Sequence, residues 1–335
     1  MTVRVAINGF GRTGRSFLRA AIALHPEIEV VAINDLGAPD ALARLFARDS
    51  VHGPFPEPVH VEGETMFVGD RHIRVLATPS AKELPWKDLG IDVVAESTGR
   101  YTKREKAAEH LEAGAKRVVI SAPAQNPDAT FVIGVNEDQF DPARHFIISN
   151  ASCTTNCLAP LAKVLDEAFG LEDGFMTTVH AYTDDQNLVD ALHKDARRSR
   201  AAALNIVPTT TGAAKATGLV MPNIAGHLDG LALRVPVPDA SITDLVALVR
   251  GTPNIEAINE AYRAAAQSGR LAGVLEFSEE PLVSSDIINS TASCVFDSAL
   301  TMAHGRLVKV LGWYDNESGY SSRLADLAAL VGAAS

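Results

Sequence analysis

The chain has 335 residues, of which 47% are hydrophobic and 21% charged, a composition typical of a globular protein with room for two domains of about 150 residues each. A formal net charge of −11 opposes nonspecific binding to nucleic acid and to anionic membranes, since both require positive charge. The sequence lacks a secretory signal and any apolar run near the roughly 20 residues of a membrane span, which predicts a cytoplasmic protein.

Strand-like and helical stretches alternate through residues 1–151. The strand-like runs are VRVAIN, EVVAIND, DVVAES, RVVIS and FVIGV, and helices are predicted over 12–24 and about 103–113. Apolar strands that alternate with helices are typical of a parallel sheet covered on both faces. We therefore predict a first domain of the α/β class with a doubly wound parallel sheet.

The pattern changes near residue 152. The strand-like runs GFMTTVHAY, LALRVPVP, SITDLVALVR, SCVFDSAL and RLVKVLGWYD lie close together, with fewer helices between them. This favours a second domain of the α+β class, with a mixed, largely antiparallel sheet and helices on one face. The last predicted element is an amphipathic helix, in which Leu324, Leu327, Ala328 and Val331 recur at helical spacing.

A glycine-rich turn, INGFGRTGR, joins the first strand to the first helix. Gly9, Gly11 and Gly14 have the GxGxxG spacing, which allows a tight turn, a close approach of the backbone to a pyrophosphate and close packing of helix on strand. Asp35 ends the next strand, where a carboxylate accepts hydrogen bonds from both hydroxyls of an adenosine ribose and repels a 2′-phosphate. The pattern predicts a nicotinamide dinucleotide site that prefers NAD.

Two of the three cysteines, Cys153 and Cys157, lie four positions apart in SNASCTTNC, at the start of a predicted helix. A zinc pair is disfavoured because no further ligands occur at suitable spacing, and a disulfide is disfavoured in a reducing compartment, so we predict no metal site. The helix N-terminus is a setting that lowers the pKa of the Cys153 thiol, whereas Cys157 is expected to be packed and inert. From position alone, a buried structural Cys153 stays an open alternative to a nucleophile.

The segment SNASCTTNCLAPLAKVL resembles the active-site segment of phosphorylating glyceraldehyde-3-phosphate dehydrogenases, and further motifs of that family follow in family order along the whole chain. They include INGFGR, DSVHG, ESTGRYT, TTVHAYT, TTTGAAKA, LRVPVP and WYDNE. The resemblance implies a Rossmann NAD-binding domain made of residues 1–151 and 316–335, a catalytic domain made of 152–315, and a homotetramer. It also implies the oxidation of D-glyceraldehyde 3-phosphate to 1,3-bisphosphoglycerate with NAD and inorganic phosphate, a reaction of glycolysis and gluconeogenesis.

The resemblance also implies roles for individual residues. Cys153 is the implied nucleophile and His180 its base, in a mechanism that passes through a thioester. The implied substrate and phosphate ligands are Ser152, Thr154, Thr183, Arg198, Thr211, Gly212 and Arg234. Of these, Thr183 and Arg234 are implied for the C3 phosphate of the substrate, Thr154, Thr211 and Gly212 for the attacking phosphate, and Arg198 lies near both. The implied cofactor ligands are Gly9, Phe10, Gly11, Arg12, Thr13, Gly14, Asn34, Asp35, Ser97, Thr98, Gly99, Ser121, Asn316 and Tyr320. Through Arg198, at least part of the basic run HKDARRSR at 193–200 faces an anion instead of solvent.

The chain departs from the family pattern at Pro79, where many members have arginine, at Ala191-Leu192, and at Ser318, where the family nearly always has tryptophan. These positions leave the adenine contact, the strictness of the cofactor choice and the shape of the pocket open. An erythrose-4-phosphate dehydrogenase, an inhibitor-insensitive isoform of the same enzyme, and a catalytically silent binding protein on the same fold are the alternatives. The complete set of implied catalytic and anion-binding residues disfavours the last of these.

Overall fold

The computed structural model describes residues 2–334 of the chain. These residues divide into two units. The first unit takes in the described residues up to Phe131, Glu137–Ala151, and the described residues from Ser321 onward. The second takes in Val132–Asn136 and Ser152–Tyr320. Within the described range, no helix is both long and apolar enough to cross a membrane.

Some of the helices begin or end at capping residues. In the longest one, Ser152 Oγ accepts a hydrogen bond from Thr155 N at the start, and Gly170 ends it with a left-handed φ of 68°. The predicted helices over 12–24, about 103–113 and at the end of the chain are confirmed. The helices of the described residues are α1 (Arg12–Leu24), α2 (Pro39–Ala47), α3 (Arg104–Glu112), α4 (Cys153–Phe169), α5 (Ala213–Val220), α6 (Ile255–Gln267), α7 (Ser284–Ile287) and α8 (Ser318–Gly332).

The longer strands follow the apolar runs of the sequence. The strands of the first unit are β1 (Val3–Asn8), β2 (Ile28–Asn34), β3 (Arg48–Asp49), β4 (Gly53–Pro54), β5 (Val59–Glu62), β6 (Thr65–Val68), β7 (Arg71–Leu76), β8 (Val93–Glu96), β9 (Arg117–Ile120), β10 (Ala129–Thr130) and β11 (Ile147–Ser149). Those of the second unit are β12 (Leu171–Ala181), β13 (Val207–Thr210), β14 (Leu228–Val235), β15 (Ser241–Val249), β16 (Leu275–Ser278), β17 (Cys294–Asp297), β18 (Met302–His304) and β19 (Leu307–Tyr314).

The first unit contains a sheet with the strand order β10-β11-β9-β8-β1-β2-β7-β6-β5. All neighbours from β10 to β7 are parallel, and β6 and β5 are added antiparallel. In this register Asn8, at the end of β1, pairs with Asn34 of β2 and with Glu96 of β8. The residues that follow these strands therefore meet at one edge of the sheet, where ligands of parallel α/β sheets bind.

The second unit contains a sheet with the order β13-β14-β12-β15-β19-β17-β16, and β18 pairs with β19. The pairs β12–β14 and β16–β17 are parallel, and the other pairs are antiparallel. Helix α4 packs against β12, β15 and β19. The register sets His180 beside Arg234 and sets Ser241 beside Tyr314.

The predicted fold class, a parallel α/β domain followed by an α+β domain with a largely antiparallel sheet, is confirmed. The prediction of a strand over FVIGV is wrong, because residues 131–135 form no strand. Val135 N instead donates to Val132 O in a turn, Gly134 has a φ of 85°, and Asn136 Oδ1 accepts from Val132 N at 2.9 Å. An asparagine side chain that accepts a hydrogen bond from a nearby backbone N–H competes with the backbone hydrogen bonds between strands.

Candidate active site

The glycine turn after β1 contains positions with different constraints. Gly9 has a φ of 92°, and a Cβ there would lie 2.8 Å from the carbonyl carbon of Ser97. A Cβ at Gly14 would lie 2.1 Å from the Gly9 oxygen, whereas a Cβ at Gly11 would meet nothing within 4 Å. The fold therefore requires Gly9 and Gly14, and Gly11 leaves open space at the start of α1, where no described side chain caps the helix. Open space beside the N-terminal backbone N–H groups of a helix suits a pyrophosphate.

Asp35 lies beside this turn, and backbone N–H groups orient its carboxylate. Phe10 N donates to Oδ2 at 2.8 Å, and Gly37 N donates to Oδ1 at 2.9 Å. Each carboxylate oxygen keeps a further lone pair, so the group is still able to accept hydrogen bonds from ribose hydroxyls.

Asn34 joins the ends of neighbouring strands. Its Nδ2 donates to Asn8 Oδ1 at 2.7 Å and to Thr78 O at 2.9 Å, and its Oδ1 accepts from Thr78 N at 2.9 Å. Both ends of the amide are thus engaged within the fold. The side chain of Asn34 is suited to shaping the turn next to the pyrophosphate site.

A buried network that the sequence analysis missed supports Thr98. Glu96 accepts from Thr98 N at 2.8 Å, from Asn8 Nδ2 at 2.6 Å and from His110 Nε2 at 3.0 Å. Trp86 Nε1 points at His110 Nδ1 from 3.0 Å, and an indole N–H only donates. His110 Nδ1 is therefore the acceptor, and His110 Nε2 donates to Glu96. The network fixes the backbone that follows β8.

The other residues predicted to bind the cofactor in the first unit lie at the same edge of the sheet or at the start of α1. The Ser121 backbone N donates to Glu96 O at 2.9 Å, which ties the end of β9 to that of β8. Gly99 has a φ of 70°, a conformation that side chains disfavour. The predicted cofactor residues at these two places are Arg12 and Thr13 at the start of α1, and Ser97, Gly99 and Ser121 at the edge of the sheet.

In the second unit, Cys153 is the first residue of α4, and its Sγ lies 3.5 Å from His180 Nε2. His180 Nδ1 lies 2.7 Å from Ala181 O, which only accepts. The proton of the neutral ring therefore sits on Nδ1, and Nε2 presents a lone pair to the sulfur. This is the tautomer that a base for Cys153 requires.

The expected lowering of the Cys153 pKa is wrong for the protein without substrate. Burial raises the pKa of this thiol above its ordinary value, although the Arg234 guanidinium and hydrogen bonds from Thr154 oppose the shift. Burial is the largest contribution to this shift. A raised pKa favours the thiol form, and His180 Nε2 lies 3.5 Å from the sulfur as a proton acceptor.

Tyr314 ties the elements that carry this pair together. Its buried hydroxyl contacts Thr154 Oγ1 at 2.9 Å and Thr178 Oγ1 at 2.7 Å. Its ring packs edge-on against the His180 ring, with centroids 5.9 Å apart. Tyr314 therefore links the residue after Cys153 to the strand that holds the base. The sequence analysis did not assign it a role, although it lies within the WYDNE motif.

A cluster of arginine and threonine side chains lies beside His180. Arg234 Nη1 donates to Thr183 Oγ1 at 2.6 Å, and Arg198 Nε donates to Thr209 Oγ1 at 2.9 Å. The Asp185 carboxylate accepts from both Thr183 Oγ1 and Arg198 Nη1. Burial by itself raises the pKa of Asp185, but the bond from Thr183 and the charges of Arg234 and Arg198 together lower it below its ordinary value. The Asp185 carboxylate thus binds Thr183 and Arg198, two of the residues predicted to bind a substrate phosphate.

The residues predicted for a second phosphate form two groups. Thr154 is buried at the start of α4 beside Tyr314, and Thr211 Oγ1 accepts from Ala213 N at 3.2 Å at the start of α5. Gly212 precedes α5, and a Cβ there would meet nothing within 4 Å. Within residues 2–334, no polar contact joins Thr211 or Gly212 to Thr154.

Asn316 follows β19 and is only 8% exposed. Its Oδ1 accepts from Ser241 Oγ at 2.8 Å, and no described residue pairs with its Nδ2. An amide donor without a partner on a nine-tenths buried side chain fits a polar group of a ligand. Tyr320, the other cofactor residue predicted here, is buried in α8.

A buried acidic cluster holds the turn around Asn316. Asp315 Oδ1 accepts from Glu317 N at 2.8 Å and from Ser318 N at 2.7 Å, and its Oδ2 accepts from Asn289 N at 2.8 Å. Burial and the nearby charges of Asp315 and Glu317 raise the pKa of Asp239 to about 8. Asp239 is therefore largely protonated at neutral pH, which limits repulsion in the cluster.

The chain is similar to known proteins over nearly its full length. Residues 3–104 match the model of the glyceraldehyde 3-phosphate dehydrogenase NAD binding domain, and residues 152–316 match that of the C-terminal domain of the same family. Glyceraldehyde-3-phosphate dehydrogenase 2 of Streptomyces arenae is 59% identical over 332 residues, which is 99% of each chain. The glyceraldehyde-3-phosphate dehydrogenase of Mycobacterium avium is 58% identical over 340 residues, again 99% of each chain. That of Geobacillus stearothermophilus is 56% identical over 332 residues, 99% of this chain and 98% of the relative. With both domain models matched and this identity from end to end, the chain belongs to the glyceraldehyde 3-phosphate dehydrogenase family.

Proposed function

We propose that the chain oxidises D-glyceraldehyde 3-phosphate to 1,3-bisphosphoglycerate with NAD and inorganic phosphate, through a thioester on Cys153. The observation that carries the proposal is the 3.5 Å contact between Cys153 Sγ and His180 Nε2, with His180 Nδ1 held by a carbonyl. Nucleophile, base and orienting group are thus arranged as covalent acyl transfer requires. Arg234 and Thr183 lie next to the pair and supply the donors that a phosphate ester requires.

The residues divide the chemistry between them. His180 Nε2 takes the thiol proton as Cys153 Sγ adds to the aldehyde carbon, returns it to the new alkoxide, and removes it again when the hemithioacetal is oxidised. Inorganic phosphate then attacks the thioester carbon, and Cys153 leaves as thiolate. We assign the C3 phosphate to Arg234, Thr183 and Arg198, and the attacking phosphate to Ser152, Thr154, Thr211 and Gly212.

The cofactor assignment rests on the donor sets of each unit. The turn from Gly9 to Gly14 would hold the pyrophosphate, Asp35 the adenosine ribose, and Asn316 the nicotinamide carboxamide. When bound, NAD supplies the hydride acceptor. The open space at Gly11 and the Asn316 Nδ2 donor that no described residue pairs with both fit such a ligand.

The proposal is tested by following NADH absorbance with the purified protein, NAD and glyceraldehyde 3-phosphate, with and without inorganic phosphate. Phosphate-dependent NADH formation is expected. Erythrose 4-phosphate serves as the comparison substrate, because it differs in the span between phosphate and aldehyde. A higher kcat/KM with erythrose 4-phosphate, or NADH formation that ignores phosphate, contradicts the proposal.

Replacing Asp185 by asparagine is expected to lower the KM for glyceraldehyde 3-phosphate by roughly three- to ten-fold, since the carboxylate holds the Thr183 hydroxyl and the Arg198 guanidinium and repels an incoming dianion. The matched control is Asp184→Asn, because no described residue bonds to that neighbouring carboxylate. Steady-state kinetics at constant ionic strength measure both variants. A raised KM in Asp185→Asn would mean that Asp185 holds the site in shape instead of competing for it.

Asp35→Asn is expected to narrow the preference for NAD over NADP by roughly ten-fold, because it removes the charge that repels a 2′-phosphate and weakens the bonds to the ribose. Asparagine is nearly isosteric and keeps one acceptor, so the turn that Phe10 N and Gly37 N form with this side chain is disturbed little. The ratio of kcat/KM for the two cofactors is the measurement. Equal efficiency of the unaltered protein with both cofactors would remove Asp35 as the determinant.

We further propose that the first unit is the NAD-binding domain and the second the catalytic domain, and that the protein is a homotetramer. Large apolar side chains exposed in the second unit support self-association, since exposed patches of this kind mark interaction surfaces. They include Phe175, Leu188, Val189, Leu192, Leu204 and Ile206. Light scattering is expected to give the mass of four chains. A cytoplasmic location is proposed because Cys153 must stay reduced to act.

A further inference from the structure

The hydroxyl of Ser241 has a fixed hydrogen-bonding arrangement. Ser241 is 1% exposed at the start of β15, and the backbone N–H of Ala181 donates to its Oγ at 3.1 Å. The oxygen is therefore an acceptor on that side. The second contact of Oγ is the Asn316 amide at 2.8 Å, and among residues 2–334 no third polar group reaches the hydroxyl.

This arrangement determines which way the Asn316 amide faces. A serine hydroxyl has one proton, and the Ala181 N–H is unable to accept it. The proton must go to Asn316, so the amide atom facing Ser241 is the carbonyl oxygen. With the amide reversed, Nδ2 would donate to Oγ and the proton of the buried hydroxyl would have no acceptor among the described residues, which is disfavoured.

We propose that Ser241 is a positioning residue for the cofactor, which fixes the Asn316 amide so that Nδ2, and not Oδ1, is presented to the nicotinamide carboxamide. The inference rests on the proposed function, in which Asn316 holds that carboxamide. Asn316 then acts as a donor only, and it recognises the carboxamide by its oxygen.

The same hydroxyl also braces the strand of the catalytic base. Ala181 gives its N–H to Ser241 Oγ and receives the His180 Nδ1 proton on its carbonyl oxygen. Loss of the Ser241 hydroxyl therefore affects two places, the base strand and the Asn316 amide. An activity loss alone would not separate them, so the test needs a readout specific to the amide.

The dinucleotide with 3-acetylpyridine in place of nicotinamide supplies that readout. Its acetyl group keeps the carbonyl acceptor of the carboxamide but has a methyl group where the carboxamide has NH₂. An Asn316 fixed as donor serves both molecules. An Asn316 free to rotate still suits NAD in either orientation, because the carboxamide offers both an acceptor and a donor, whereas the acetyl group suits one orientation only.

Calorimetry measures the dissociation constants of NAD and of the acetylpyridine analogue. The readout is the ratio of these two dissociation constants. Ser241→Ala is expected to weaken binding of the analogue about two-fold more than binding of NAD, because an amide free to rotate presents its donor only about half of the time. Ser241→Cys fills the same space with a weak donor, and its ratio is expected to fall between those of the unaltered protein and Ser241→Ala. In the Asn316→Ala background, Ser241→Ala is expected to leave the ratio unchanged.

The matched control is Thr243→Val on the same strand. Thr243 is also buried, but its hydroxyl has no hydrogen-bond partner among the described residues, so the ratio is expected to stay constant. If the unaltered protein binds NAD but neither Ser241 variant changes the ratio, the role of Ser241 is overturned while the proposed function stands. A ratio that changes equally in Thr243→Val assigns the effect to general loosening of β15 and also overturns it. Failure of the unaltered protein to bind NAD overturns the proposed function together with this inference.

Discussion

Cys153→Ser is expected to lower kcat/KM for phosphate-dependent NADH formation by about 10⁴-fold or more, because a serine hydroxyl near neutral pH is a far weaker nucleophile than a thiolate. The base remains in place, since His180 is held through Ala181 O and not through the sulfur. The dissociation constant for NAD is expected to stay within about two-fold, as one exchanged atom removes no donor assigned to the cofactor. Steady-state kinetics and calorimetry measure the two effects separately.

Cys157→Ser is the matched control in the same helix. Cys157 is fully buried, and its Sγ donates to Gly312 O at 3.4 Å, a bond that a serine hydroxyl is able to replace. Its neighbour Cys294 is equally buried, and burial raises the pKa of that thiol well above its ordinary value, which keeps it unreactive. Activity is therefore expected to change little. Similar losses in Cys153→Ser and Cys157→Ser would show that the thiols do not differ in role.

Strands and helices were predictable where the local pattern and the tertiary fold agree. VRVAIN, the glycine turn and the helix over 12–24 form as predicted, because each choice of residue favours the same element. Within FVIGV, the apolar pattern favoured a strand, but Asn136 and the left-handed Gly134 favour a turn. The order of strands in the second sheet was not predictable, because β12 and β14 pair in parallel across a connection of more than 40 residues.

The candidate site was predictable as far as its residues lie in continuous motifs. Tyr314 contacts Thr154 across 160 positions, and Trp86, His110 and Glu96 meet only in the folded chain, so no spacing reveals these contacts. Ser241 lies in a strand that carries no recognisable motif, and its proposed role follows only from its hydrogen bonds with Ala181 and Asn316.

The sign of the Cys153 pKa shift shows the same limit. Position at a helix N-terminus is visible in the sequence and lowers a thiol pKa, whereas the amount of water removed depends on everything packed around the sulfur. In the folded chain burial is the largest contribution to the shift and raises the pKa of Cys153. A local electrostatic argument therefore gave the wrong direction of the shift.

His180→Asn is expected to lower kcat by about 10²- to 10⁴-fold, the range for loss of a general base, with little change in the dissociation constant for NAD. Asparagine is chosen because its Nδ2 is able to replace the hydrogen bond from His180 Nδ1 to Ala181 O, while it offers no basic nitrogen to the sulfur. The strand end thus keeps its bond, and the loss reports proton transfer.

The pH dependence of Cys153 alkylation by iodoacetamide tests the same role without substrate or cofactor. Because burial raises the thiol pKa, the unprotonated form is scarce at low pH and increases only as the pH rises toward and through that raised value. The alkylation rate of the unaltered protein is therefore expected to rise with pH, with a midpoint above that of an exposed cysteine. In His180→Asn the rate near neutral pH is expected to fall further, since no acceptor for the thiol proton then lies 3.5 Å from Sγ. A rapid, pH-independent rate from pH 6 upward in both proteins would mean that Cys153 is a preformed thiolate and that His180 is not needed to activate it.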